Sequence, residues 1–130
     1  MLTARDYQAL SNFRFHLARF LRFSESAART AGTTPKQYLL LLHICGTKGR
    51  DWASVGELAQ RLQSSAHGTA ALVNRCRAAR LVSKRRNRAD ARLVEVHATA
   101  LGRKMVLHIA ARHRAELKSL REVFRVAHVS

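Results

Sequence analysis

SVGELAQRLQSSAHGTAALVNRCRAARLVSKRRNRADARLVEVHATALG, residues 54–102, is the stretch that decides the fold. It reads as two short helices, a turn and a basic two-stranded ribbon. Ser54 with Glu57 makes a capping box that starts the first helix. Leu58, Ala59 and Leu62 form its inner face. Ser64 and Ser65 offer a cap for the second helix, over about Ala66 to Ala79, with Thr69, Leu72, Val73 and Cys76 turned inward. At about 100° per residue, His67, Ala70, Ala71, Asn74 and Ala78 fall on the opposite face, flanked by Arg75 and Arg77. That face is small and polar, which suits close approach to a groove. Leu81 to Arg85 and Leu93 to His97 read as strands, with Arg86 to Arg92 as the loop between them. A helix pair followed by an Arg-rich hairpin points to a protein built to sit on a duplex.

The flanks read as a scaffold for this stretch. Thr3 caps a long helix over about Ala4 to Ala31. Tyr7, Leu10, Leu17 and Leu21 recur on it at three-to-four spacing, with Phe13, Phe20 and Ala27 as a second stripe. Phe15 and Phe23 widen the apolar surface beyond half the circumference, so the helix needs cover on two sides. One side is its own domain; a second subunit explains the other. Thr34 caps the next helix, with Pro35 at its first position, where a missing N–H costs nothing. Leu39 to Cys45 is apolar nearly all round and predicts a central buried helix. Gly46 to Trp52 reads as a polar loop. Downstream, Thr99 caps a helix over about Ala100 to Val126. Leu101, Met105 and Ile109 mark its early apolar stripe, and Leu117, Leu120, Phe124 and Ala127 its late one.

Charge narrows the partner. Lys and Arg number 24 against 8 Asp and Glu, a formal +16 over 130 residues. Such a surplus repels itself in a small domain and makes sense opposite a polyanion, nucleic acid first. No apolar run approaches the roughly 18 residues of a membrane span, and the N-terminus lacks a signal-peptide pattern. The expectation is a soluble cytoplasmic protein that does not engage a membrane. Cys45 and Cys76 lie in apolar helical segments, outside any metal-ligand spacing, and read as reduced core thiols. His108 and His113 are five apart, which is not one helix face, and no H-x-x-x-H occurs, so no metal and no cofactor are expected. No nucleophile–base–acid set and no Gly-rich phosphate loop can be assembled, so the chain is not expected to be an enzyme.

The run ELAQRL, SSAHGTAALVNR, RLVSKR, Asp90-Ala91-Arg92 and Thr99-Ala100-Leu101-Gly102 resembles the MarR family of bacterial transcription regulators. Members typically carry D-x-R in the wing and T-x-x-G opening the next helix. The resemblance implies a mainly α fold with a small β-hairpin wing, a winged helix-turn-helix over residues 35–98. Helices 4–31 and 100–127 would dimerise it, all within one domain, 1–130. The chain departs from the pattern in three places. Arg80 stands where a left-handed Gly is usual, Cys76 where a Leu is common, and Ala71 where a basic residue often faces DNA. It also ends sooner than most members, so a short terminal helix is expected to be missing.

On this reading the partner is a pseudo-palindromic double-stranded DNA operator. His67 and Asn74 are the candidates for base edges. Ser64, Ser65, Thr69 and the helix N-terminus would hold a phosphate, Thr69 the weakest of them because it points inward; Gly68 joins them as a DNA-binding residue, with Arg75 and Arg77 as phosphate clamps. In the wing, Lys84, Arg86, Arg88 and Arg92 would meet DNA, one Arg entering the minor groove. Asp90, a lone acid there, reads as structural. The resemblance further implies a homodimeric repressor released by a small aromatic effector, with Phe13, Arg14, Leu17, Phe20, Tyr38 and Leu42 as candidate pocket residues. Two other readings stay open: a basic architectural protein that binds DNA without sequence choice, and a redox switch through Cys45 or Cys76.

Overall fold

The computed structural model describes residues 1–118 and 121. Its elements in order are α1 (Ala4–Thr30), α2 (Pro35–Cys45), β1 (Trp52–Ser54), α3 (Val55–Leu62), α4 (Ala66–Ala78), β2 (Val82–Arg86), β3 (Val94–Ala98) and α5 (Ala100–Ala111). Local chemistry sets most boundaries. The Thr3 hydroxyl accepts the Asp6 N–H, and the Asp6 carboxylate accepts the Thr3 N–H, closing a capping box at α1. Thr34 caps α2 with Pro35 at its first turn, and Ser54 with Glu57 boxes α3, as the sequence predicts.

The core gathers around α2. Leu40, Leu41 and Ile44 pack with Leu58 of α3, Leu72, Val73 and Cys76 of α4, Val82 and Val96 of the sheet, and Val106 of α5. Each large aliphatic side chain fully buried here contributes roughly 1.5–3 kcal/mol. A second cluster joins Ala27 and Ala28 of α1 to Tyr38 and Ile109. Only this C-terminal part of α1 is buried. Tyr7, Leu10, Phe15 and Leu21 stay exposed, Tyr7 at 62%.

The structure corrects three readings. The sheet has three antiparallel strands in the order β1-β3-β2, not two. Trp52, placed in a polar loop, pairs with His97, and Ser54 pairs with Glu95. A three-residue strand is too short to reveal an alternating pattern. The ribbon strands start one residue later than read. Leu81 N–H bonds back to Cys76 O, and its carbonyl accepts the Thr99 N–H, so Leu81 belongs to the turn. Leu93 is likewise spent on the wing loop, donating to Asp90 O and accepting from Asn87. The last helix is interrupted. Arg112 and His113 donate to carbonyls three residues back, tightening the chain before helix resumes at residue 114. The late stripe at Leu120, Phe124 and Ala127 lies outside the described residues.

The interruption drives His113 into the interior, between α1 and α2. Its ring lies near-parallel to Tyr38 and edge-on to Phe20 and Phe23, at centroid distances of 5.9, 5.6 and 5.3 Å. Its Nδ1 sits 2.8 Å from Ile109 O, which can only accept, so Nδ1 carries the proton. Its buried Nε2 has no hydrogen-bond partner among the described residues. No helix among the described residues is long and apolar enough to cross a membrane.

Candidate nucleic-acid interface

α3 and α4 are joined by a tight turn in which Gln63 takes a left-handed φ of 53°. Ser64 N–H donates to Ala59 O at 3.0 Å, closing the end of α3. Ser65 then caps α4 by accepting the Gly68 N–H at 3.0 Å. A Cβ at residue 68 would stand 3.1 Å from the Ser65 hydroxyl, so Gly68 keeps the cap compact. Ser64 Oγ lies 2.6 Å from Thr69 Oγ1, which also donates to Ser65 O. Ser64 and Ser65 therefore build the start of α4, and Thr69 is buried beneath it, as its inward place on the wheel predicts.

The face of α4 away from the core is open. His67, Asn74, Arg75, Arg77 and Ala78 are exposed, while Ala70 and Ala71 are partly covered. Asn74 is not free: its side-chain oxygen accepts from Lys84 Nζ at 2.7 Å, a bond from α4 to β2. Arg75 borders the cavity between α1, α2 and α4.

Beyond α4 the chain reverses through Arg80, whose φ is 64°. The left-handed conformation anticipated here is thus adopted by an arginine, at a cost of about 1 kcal/mol. Neighbouring contacts hold it. Arg80 O accepts the Thr99 hydroxyl at 2.7 Å, Thr99 N–H donates to Leu81 O, and Thr99 Oγ1 caps α5 at Gly102 N–H. Gly102 lies flush on the Leu81 carbonyl, leaving no room for a Cβ. This junction fixes α4, the wing and α5 relative to one another.

At the wing tip Arg86 and Arg88 are exposed. Arg92 forks onto Asp90, with Nε to Oδ1 at 3.1 Å and Nη2 to Oδ2 at 3.2 Å, and its backbone N–H also reaches Oδ1. The Arg92 guanidinium, then its N–H, hold the Asp90 carboxyl below its usual range. Asp90 thus pairs with Arg92 within the wing turn. Sequence reasoning passed over Asn87 and Glu95, which tie this turn to the sheet. The alternation in Val94-Glu95-Val96-His97 was the available signal.

The six residues expected to line an effector pocket differ in burial. Arg14 is exposed, Phe13, Leu17, Phe20 and Leu42 are half-buried, and Tyr38 is buried. Phe20 and Tyr38 both pack against His113. A cavity of about 620 Å³ lies between α1, the start of α2 and α4, bordered by Leu21, Glu25, Arg29, Pro35, Lys36, Leu39 and Arg75. Burial raises the Cys45 thiol pKa against an opposing Arg103, and pushes Cys76 up to about 11. Neither is a reactive thiolate at neutral pH.

The capped helix pair, the left-handed turn at Arg80 and the Asp90–Arg92 wing reproduce the pattern seen in the sequence, and residues 31–93 match the sequence model of the MarR family. Over these residues, the helix pair and the wing, the chain is similar to the MarR family. No curated protein sequence matches it. Among solved structures, it resembles AbsC, a MarR family transcriptional regulator from Streptomyces coelicolor, at 20% identity and TM-score 0.74, covering 92% of this chain and 80% of that one. A MarR family protein from Bacillus stearothermophilus is 19% identical, with TM-score 0.77 and coverage of 92% and 82%. The MepR–DNA complex of S. aureus is 16% identical, with TM-score 0.70 and coverage of 94% and 85%. At these identities the solved structures establish the MarR winged-helix fold.

Proposed function

We propose that this chain is a homodimeric transcriptional regulator of the MarR family that binds a pseudo-palindromic double-stranded DNA operator, a repressor released by a small aromatic effector. One observation carries the reading: the open polar face of α4 stands beside an Arg-rich wing, tied to it through Asn74 and Lys84, on a chain of charge +16. The relative captured with DNA, MepR, shares this fold. His67, Asn74, Arg75 and Arg77 would meet the major groove and its phosphates, and Arg86, Arg88 and Arg92 the adjoining backbone and minor groove.

Dimerisation is supported by apolar side chains without cover. Tyr7, Leu10 and Phe15 on α1, Leu107 on α5 and Leu117 beyond it are all exposed, Leu107 at 71%. A two-fold pairing of these faces would bury them and set two α4 helices about 34 Å apart. The cavity between α1 and α4 supports an effector step. It joins the apolar Leu21, Pro35 and Leu39 to the cations Arg29, Lys36 and Arg75 and one acid, Glu25, which pairs with Arg29; the surplus of cations suits an aromatic carboxylate. A ligand there favours one spacing of the two lobes only through differential affinity for it.

Selection from a random pool of duplex DNA tests the reading. The expected product is two related half-sites at fixed spacing, with affinity falling steeply as salt rises. A flat salt dependence would reject nucleic-acid binding, and sedimentation as a monomer at micromolar concentration would reject the dimer. Ala70, Ala71 and Ala78 on the outer face of α4 favour a second reading, DNA binding without sequence choice. Equal competition by random and selected DNA would establish it. The raised thiol pKa values of buried Cys76 and half-buried Cys45 weigh against a redox switch. Binding that survives mild peroxide would remove it.

A further inference from the structure

The outer face of the sheet carries a polar chain that joins the wing tip to the body of the domain. Alternation along β3 sends Val96 and Ala98 into the core and places Glu95 and His97 on the opposite face. Glu95 is held from two sides. Its Oε1 accepts from His97 Nε2 at 2.8 Å, and its Oε2 from Asn87 Nδ2 at 2.7 Å. Asn87 Oδ1 accepts the Asp90 N–H at 2.8 Å, and Asp90 holds Arg92. His97, Glu95, Asn87, Asp90 and Arg92 thus run without a break from mid-sheet to wing tip. Its foot rests on β1, the strand that leads into α3, through the pairs Trp52–His97 and Ser54–Glu95.

Glu95 is placed unlike a surface charge. Its side chain is only 16% exposed, in a chain with 8 acids against 24 Lys and Arg. The hydrogen bond from His97, then that from Asn87, holds its carboxyl below the usual range. We propose that Glu95 is a positioning residue for the wing: through Asn87 it holds the turn, and with it Arg86 and Arg88, in the geometry that meets DNA. The inference rests on the DNA-binding reading above. It is separable from plain electrostatics because the signs are opposite. Deleting an acid from a surface near a polyanion strengthens binding. Deleting a residue that orders the contacting loop weakens it, since binding must then supply the ordering.

The test uses the full chain and a duplex chosen by the selection above. Amide exchange at Asn87 and Leu93, whose N–H groups close the wing turn, is measured without DNA. Affinity is measured over a range of salt. Glu95→Ala removes the bonds to His97 and to Asn87, of which the second reaches the wing turn, and is expected to speed exchange at these amides about tenfold while α4 amides hold. DNA affinity should fall by about as much, with an unchanged salt slope, because no phosphate contact is removed. Glu95→Gln, which keeps an acceptor for Asn87, should recover part of the loss. Should Glu95→Ala fail to fold, Asn87→Ala breaks the same chain without uncovering the sheet. Unchanged exchange, or faster exchange with equal or tighter DNA binding, overturns the inference. Faster exchange in a protein whose unaltered form binds no DNA leaves the anchoring in place and rejects the DNA reading instead.

Discussion

Lys84 Nζ donates to the Asn74 side-chain oxygen at 2.7 Å, so β2 and α4 share a hydrogen bond across the face proposed to meet DNA. The bond orients the Asn74 amide and takes one of the two lone pairs of its oxygen. The NH₂ group and the second lone pair remain for a base edge.

Asn74→Ala is expected to cost about 1–3 kcal/mol in operator affinity and relax preference at one base position of each half-site. The salt slope should hold, because Asn74 meets no phosphate. Binding to a panel of single-base operator variants at two salt concentrations checks this. Uniform loss across the panel would assign Asn74 to wing orientation alone.

In the Asp90–Arg92 pair 91% of the Arg92 side chain is exposed, so solvent screens the attraction and Arg92 can be released to a phosphate cheaply. Arg88→Ala and Arg92→Ala should each reduce the salt slope by about 1, with sedimentation unchanged. Asp90→Asn keeps an oxygen for the Arg92 N–H while removing the charge. It should tighten DNA binding a few-fold, opposite in sign to the effect expected at Glu95.

Two substitutions at the α4–wing–α5 junction should move stability in opposite directions. Arg80→Gly relieves a left-handed φ of 64° and should stabilise by roughly 0.5–1 kcal/mol. Gly102→Ala drives a methyl into the Leu81 carbonyl and against Leu41, and should destabilise by about 2 kcal/mol or more. Urea unfolding of both variants measures the difference, and equal midpoints would mean that the junction relaxes freely.

Glu57 links the α2–β1 loop to the start of α3. The Arg50 guanidinium, then the Ser54 N–H, lower its carboxyl pKa from 4.5 to about 2. The folded value is the depressed one, so the stabilisation is complete above about pH 4.5 and is lost as pH falls toward 2. Unscreened, such a shift is worth about 3 kcal/mol. With the Glu57 side chain 44% exposed, solvent screening leaves about 1 kcal/mol. Unfolding free energy should therefore fall between pH 5 and pH 2.5 by roughly 1 kcal/mol more in the unaltered protein than in Glu57→Gln. Parallel pH curves would show that the pair contributes nothing.

Local pattern determined much of this protein before any coordinate. Caps at Thr3, Thr34, Ser54 and Thr99 act within three residues, and the inward set Thr69, Leu72, Val73 and Cys76 follows from helix period alone, so both were legible. The pairing of Asp90 with an Arg was legible because its partner stands two residues away. Other features depend on residues far apart in the chain. β1 exists because Trp52 and Ser54 find His97 and Glu95, and the break before His113 forms where three aromatic rings from α1 and α2 enclose an imidazole. The Lys84–Asn74 bond and the Glu95–Asn87 tie are side-chain meetings across elements, and no spacing rule encodes them. The candidate effector pocket shows the same limit: periodicity marks Phe13, Leu17 and Phe20 as apolar, while only packing decides which apolar residues close on one another and which border the space between α1 and α4.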